Sequence, residues 1–244
     1  MVRPACPATT RRPTNPPATS ARLDRLLDTF ANGGVLARAW PAVFAGFLVT
    51  IQVAAATVLL GLGLGFALAL LCSLDRRVLN WMVTAWVDLF RTLPQPVVLV
   101  FAYFALPYAG VRIGPSLATT LGLGAVLSAF AAEAFRAAIL AVPAGQWDAA
   151  RALGLGWGRT MRGVVLPQAV RLATPLLTNR SIAIVKGTAL GTAISLPELL
   201  GEAQAATSML ANPSPLLLAA GLYLVLFLPL VVLSRRLERR YGPA

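Results

Sequence analysis

Residues Glu133–Pro167 read EAFRAAILAVPAGQWDAARALGLGWGRTMRGVVLP, a polar, arginine-rich insertion between two long apolar runs. Pro143 interrupts the preceding apolar stretch and Gly145 permits a turn. Gln146–Leu153 then predicts two helical turns built from good helix formers: Ala149, Ala150, Arg151, Ala152 and Leu153. Asp148 is expected in the first turn, where a carboxylate complements the helix dipole. Gly154 stands where a C-terminal cap glycine belongs. The small side chains of Ala149 and Ala150 would let another protein approach the backbone. A short capped helix of this kind fits a groove on a partner.

Outward from this insertion the chain is built for a bilayer. Apolar residues make up 57% of the 244 residues and charged residues 12%, with a mean hydropathy of +0.73. Soluble domains run near 45–50% apolar and about 25% charged. The net charge of +12 would point to nucleic acid in a soluble protein. Here the arginines sit at the ends of apolar runs with no basic stripe interleaved with aromatics, so nucleic acid is not an expected partner. Histidine is absent, no Gly-x4-Gly-Lys-Ser/Thr phosphate loop occurs, and no nucleophile–base pair or metal constellation stands out. An enzyme, a metal site and ATP binding by this chain are therefore not expected. The two cysteines, Cys6 and Cys72, do not imply a disulfide framework.

Two segments are distinguished, an N-terminal extension over residues 1–40 and a membrane domain over 41–240. Residues 1–22, rich in Pro, Thr, Ala and Arg, are expected to be disordered, and no apolar core follows the early arginines to make a signal peptide. Leu23, Leu26, Leu27 and Phe30 have helical spacing and predict a short amphipathic helix, ended by Gly33-Gly34. A membrane helix needs about 20 apolar residues. On that basis five spans are expected: Phe44–Cys72, Val83–Leu106 with a bend at Pro94 and Pro96, Ser116–Ala132, Leu176–Leu200 and Pro215–Leu233. Gly61-x3-Gly65, with Gly63 between, suits close helix–helix packing.

Orientation follows from the arginines. Residues 73–82, the insertion and the C-terminus hold Arg76, Arg77, Arg136, Arg151, Arg159, Arg162, Arg171, Arg235, Arg236, Arg239 and Arg240; the other two loops hold Arg112 alone. The positive-inside rule then makes the insertion and C-terminus cytoplasmic and the N-terminus external. The N-terminal arginines Arg3, Arg11, Arg12, Arg22, Arg25 and Arg38 argue the other way, but the loop tally is internally consistent.

The pattern Asp148-Ala149-Ala150, Gly154, then Val164-x-Leu166-Pro167 resembles the EAA loop of permease subunits from bacterial ATP-binding-cassette importers, with Asp148 where Glu is usual. The flanks Pro143-x-Gly145-Gln146 and Leu166-Pro167-Gln168-Ala169 resemble the polar amino acid uptake branch. The likeness extends from about Phe44 to Arg240. Phe90–Pro96 looks like that family's Phe-Arg-Gly-Thr-Pro segment without its Gly, and Lys186-Gly187-Thr188-Ala189-Leu190 resembles a fourth-helix segment in which Asp or Asn is usual at Gly187. The resemblance implies an all-α membrane protein, a type I importer permease fold with five transmembrane helices and a cytoplasmic coupling helix, the loop spanning about 133–168. Gln146, Asp148, Ala149, Ala150, Arg151, Gly154 and Pro167 would then form the ATPase-coupling element. It implies a multi-pass protein of the bacterial inner membrane that binds no cofactor, ATP being held by partner ATPase subunits. It further implies a second permease copy or paralogue and an extracytoplasmic solute-binding protein.

Charged and polar groups at membrane depth are costly and often functional. Asn179, Lys186 and Thr188 are candidates for a translocation path, although bonding between helices would account for Asn179 and Thr188 equally well and a snorkelling or ion-paired structural role would account for Lys186. Glu133 and Arg136 are expected to pair with each other on one helix face, and Glu198 to lie near the external mouth where a binding protein would dock. The rival readings are a secondary transporter or channel, which predicts internal repeats, and a membrane scaffold that moves nothing.

Overall fold

The computed structural model describes Leu26, residues 28–74 and residues 76–241, and among these every regular element is helical. Expectations for residues 1–25 and for Leu27 lie outside the described residues. The first long helix, α1, runs Gly33–Cys72. It starts well before the expected Phe44, because Gly33-Gly34 does not act as a breaker. The interruption lies at Ala31-Asn32 instead. Asn32 caps the helix, its side-chain oxygen accepting from the N–H groups of Gly34 at 3.0 Å and Val35 at 3.2 Å.

Helix α2, Arg77–Thr92, and helix α3, Gln95–Val100, do not form one gently bent span. The helical path turns by 108° between them. The two prolines act differently. Pro94 forces Leu93 into extended backbone (φ −75°, ψ 133°), which ends α2. Pro96 sits in the first turn of α3, where its missing N–H costs no helical hydrogen bond. The path continues through a π turn, Phe101–Ala105, and a 3₁₀ turn, Leu106–Ala109.

Helix α4, Pro115–Leu140, runs past the expected end of its span, so Glu133 and Arg136 belong to its last turns. It is followed by the short helix α5, Ala144–Ala152. Helix α6, Trp157–Thr160, passes through a π turn, Met161–Val165, into α7, Leu166–Lys186. That turn ends just before Pro167, whose ring cannot donate in the normal ladder. A 3₁₀ run, Gly187–Ile194, leads through Ser195, at φ 61°, to α8, Leu199–Leu210, and then α9, Ser214–Tyr241. Helices α1, α4 and α9 are each long and apolar enough to cross a membrane. Counting each bent pair as one span brings the total to five.

The three unbroken spans differ in burial. The most apolar window of α4 is 67% buried, against 22% for the helix ending at Cys72 and 6% for α9. Thus α4 is the centre of the bundle and α9 presents its apolar surface outward, as a lipid-facing helix does. The α1–α4 seam is made by glycine. A Cβ at Gly61 would lie 2.6 Å from Leu127 Cβ, and one at Gly65 would lie 2.5 Å from Ala131 Cβ. Gly63, on the other face, has nothing within 4 Å.

Glu198 is not presented to a docking protein. Its residue is 0% exposed and it caps α8. Its carboxylate accepts from the backbone of Leu200 (2.9 Å) and Gly201 (2.8 Å), from Thr192 Oγ1 (2.7 Å) and from the Tyr223 hydroxyl (3.0 Å). A buried carboxylate with four donors is satisfied, and it ties the 3₁₀ run, α8 and α9 together. Glu198→Ala is expected to cost about 2–4 kcal/mol, since it removes a helix cap and strands buried hydroxyl and amide donors. Thermal unfolding in detergent checks this; a melting temperature equal to wild type would refute the structural role.

Candidate functional site

Helix α5 is fixed at both ends by the local sequence. Pro143, in extended backbone (φ −54°, ψ 136°), stands at its start, and its carbonyl accepts from Gln146 N–H at 2.9 Å. At the C-terminus Gly154 takes φ +73°. Its N–H donates to the Arg151 carbonyl at 2.9 Å, and that of Leu155 donates to the Ala150 carbonyl at 3.1 Å. These two bonds form a Schellman cap, which satisfies carbonyls the helix leaves open.

Two expectations for this element change. Asp148 is the fifth residue of the helix, and the first turn holds no acid, so Asp148 does not serve the N-terminal dipole. The side chain of Ala150 is not offered to a partner. The residue is 3% exposed and faces the bundle, where the core beneath α5 includes Phe135, Ile139, Val142, Met161 and Val165, with Trp147 packed against it. Gln146, Asp148, Ala149 and Arg151 are exposed on the other faces, together with Gly154 and Pro167. Gln168 at the start of α7 donates to the Val164 carbonyl at 2.8 Å and approaches Gln146 Oε1 at 3.4 Å.

The three polar residues proposed for a path separate. Asn179 and Lys186 line one cavity of about 370 Å³ with Ser234, Arg235 and Glu238. Asn179 is engaged there, its amide donating to Glu238 Oε1 at 2.8 Å and its carbonyl oxygen accepting from the Ser234 hydroxyl at 3.0 Å. The Lys186 ammonium lies 5.5 Å from the centre of the Phe227 ring. Thr188 is fully buried and its hydroxyl donates to the Val185 carbonyl at 2.7 Å, so that hydroxyl is satisfied within its own turn. Neighbouring Gly187 lets the Gln95 side chain approach; a Cβ there would sit 2.6 Å from Gln95 Oε1.

The Glu133 carboxylate pairs with Arg91 of α2, not with Arg136, and both partners are partly exposed (38% and 51% of their side chains). Arg91 and Arg180 both lie against the Phe130 ring, at 5.5 and 4.4 Å from its centre. The sequence reading missed this cross-helix cluster, although a carboxylate and two arginines in apolar surroundings were visible signals for it.

The family described as binding-protein-dependent transport system inner membrane component matches residues 61–243, and the chain belongs to it. It is 34% identical over 199 residues to the probable glutamine ABC transporter permease protein GlnP of Bacillus subtilis (strain 168), covering 80% of this chain and 91% of that protein. It is 31% identical over 202 residues to the arginine transport system permease protein ArtQ of the same organism, covering 82% and 92%. Among solved structures it matches a chain of an amino acid ABC transporter crystallised with histidines, at a TM-score of 0.76 and 29% identity over 84% of this chain and 96% of that one. An inward-facing MetNI methionine ABC transporter shares the fold at a TM-score of 0.61 and 24% identity, over 86% and 97%. The protein thus has the type I importer permease fold, and it is a transport subunit of an ABC importer rather than an enzyme.

Proposed function

We propose that this subunit forms the translocation path for a polar amino acid or a similar small zwitterion and that α5 couples that path to a separate ATPase. The single observation that carries the coupling role is the construction of α5. On one face Trp147 packs on the core and Ala150 is buried, while Gln146, Asp148, Ala149 and Arg151 are exposed. A partner groove meets a rigid, preorganised helix, so little ordering entropy opposes docking. The substrate class is supported by the named cargo of the relatives, glutamine and arginine.

In this reading two permease chains, identical or paralogous, enclose the path and two ATPase subunits hold the two α5 helices. A solute-binding protein delivers cargo from outside. The α5 end and the C-terminus face the cytoplasm, which the arginine distribution supports, and the described N-terminal end of α1 lies at the opposite face. ATP-driven closure of the ATPase pair would move the α5 helices and switch the bundle between two packings.

The test is reconstitution. Purification in mild detergent with the products of neighbouring genes is expected to yield an ATPase and a binding protein. Liposomes holding that complex are expected to accumulate radiolabelled glutamine or arginine only with ATP. A complex that takes up neither, or that does so without ATP, would overturn the reading.

A further inference from the structure

The polar residues of α2 form a stripe. Asn80, Thr84, Asp88 and Arg91 recur at intervals of four, four and three, the spacing of one helix face. Across from them α4 presents Glu133 and Arg136, one turn apart. Between the two helices lies a cavity of about 210 Å³ lined by Thr84, Asp88, Arg91, Glu133 and Arg136 together with apolar residues. It adjoins a larger volume of about 530 Å³, the two sharing Cys72 and Arg136, and the far wall of the larger one includes Ala144 and Trp147 of α5.

The charges in this cleft are unequally committed. Arg91 and Glu133 neutralise each other. Among the described residues neither Arg136 nor Asp88 makes an ion pair, so one cation and one anion remain available on opposite walls. Toward the α5 end, the carboxamide oxygen of Asn80 is buried without a hydrogen-bond partner, and Asn80 lines the larger volume. A buried acceptor without a donor is a standing cost that a ligand carrying a donor would relieve. The cleft thus offers one guanidinium, one carboxylate and, beyond them, an unfilled acceptor.

We propose that the α2–α4 cleft binds the zwitterionic head of an amino acid, Arg136 taking its carboxylate and Asp88 its ammonium group. The side chain then extends into the larger volume, where Asn80 Oδ1 accepts from an amide or guanidinium. This favours donor-bearing side chains over acidic ones. The site lies at the α5 end of the bundle, the face from which cargo would leave. The inference rests on the permease reading and adds a cargo site separate from the cavity around Asn179 and Lys186.

Equilibrium binding of radiolabelled arginine and glutamine to the purified permease–ATPase complex, without binding protein, tests it. Arg136→Gln and Asp88→Asn are each expected to weaken binding about tenfold or more, the loss of one charged hydrogen bond. Arg136→Lys should recover part of the loss. Agmatine, which is arginine without its carboxylate, should compete poorly with wild type and should lose that disadvantage against Arg136→Gln. Unchanged affinity in both variants, no binding by wild type, or agmatine competing as well as arginine against wild type would overturn the site. The agmatine comparison needs no variant, so a misfolded mutant leaves it intact. ATP-dependent uptake by wild type alongside any of these results would leave the permease reading standing, whereas its absence would remove that reading as well.

Discussion

Gly154→Val is expected to abolish ATP-dependent uptake and recovery of the ATPase, while the permease still purifies as a folded membrane protein. The reason is backbone conformation rather than space. Gly154 holds φ +73°, and a Cβ built there meets nothing within 4 Å. A side chain therefore fits, but an L-residue pays about 1–2 kcal/mol in the left-handed region, and a β-branched one is a genuine outlier there. That strain falls on the two cap bonds, Gly154 to Arg151 and Leu155 to Ala150, which set where α5 stops. The spans lie outside this turn, so the defect is confined to docking. Gly154→Asn is the matched control, because Asn tolerates this conformation and should retain most activity. Normal uptake by the Val variant would remove α5 from the coupling path.

The second large effect is expected at the glycine seam. Gly65→Leu should prevent assembly of the bundle, seen as loss of the monodisperse protein in detergent. A Cβ at Gly65 would lie 2.5 Å from Ala131 Cβ, 2.7 Å from the Ser128 carbonyl oxygen and 3.0 Å from Ala132 N. Two of those atoms are backbone and cannot rotate away. Even Gly65→Ala should cost about 1–3 kcal/mol as an overpacked contact, and leucine adds three more carbons to the same place. Gly63→Leu, with nothing within 4 Å, should be tolerated. Equal behaviour of the two leucine variants would show that α1 and α4 are not held by close approach.

What could be read in advance divides by sequence separation. The short helix α5 was legible because Pro143 and Gly154 bound it locally, and its cap geometry depends on neighbours within five residues. The α1 seam was legible because the four-residue glycine spacing is itself local. Arg91 and Glu133 were not matched, being 42 positions apart on different helices, and the nearer Arg136 was the more obvious partner. Glu198 misled for a related reason. Its burial is set by distant elements, with Thr192 and Tyr223 bonding its carboxylate and Gly46 of α1 packed against its backbone. Asn32 shows the converse, since the Gly33-Gly34 pair drew attention from the capping side chain beside it. The 108° turn at Leu93 was underestimated because proline marks where a helix ends but not how far the chain then swings.

The glycine seam has a mechanical meaning. Only residues 141–143 separate α4 from α5, so any displacement of α5 by the proposed partner would have a short tether through which to pull. Because α1 and α4 touch backbone to side chain along Gly61 and Gly65, they act as one stiff strut rather than two independent rods. A push delivered at one end of that strut would be carried toward Asn32, where the Ser214 hydroxyl accepts from the Asn32 N–H at 3.0 Å and fastens α1 to the start of α9. On the proposed coupling role, the protein would work as a lever whose handle, α5, is nine residues long and whose arm is the 40-residue α1.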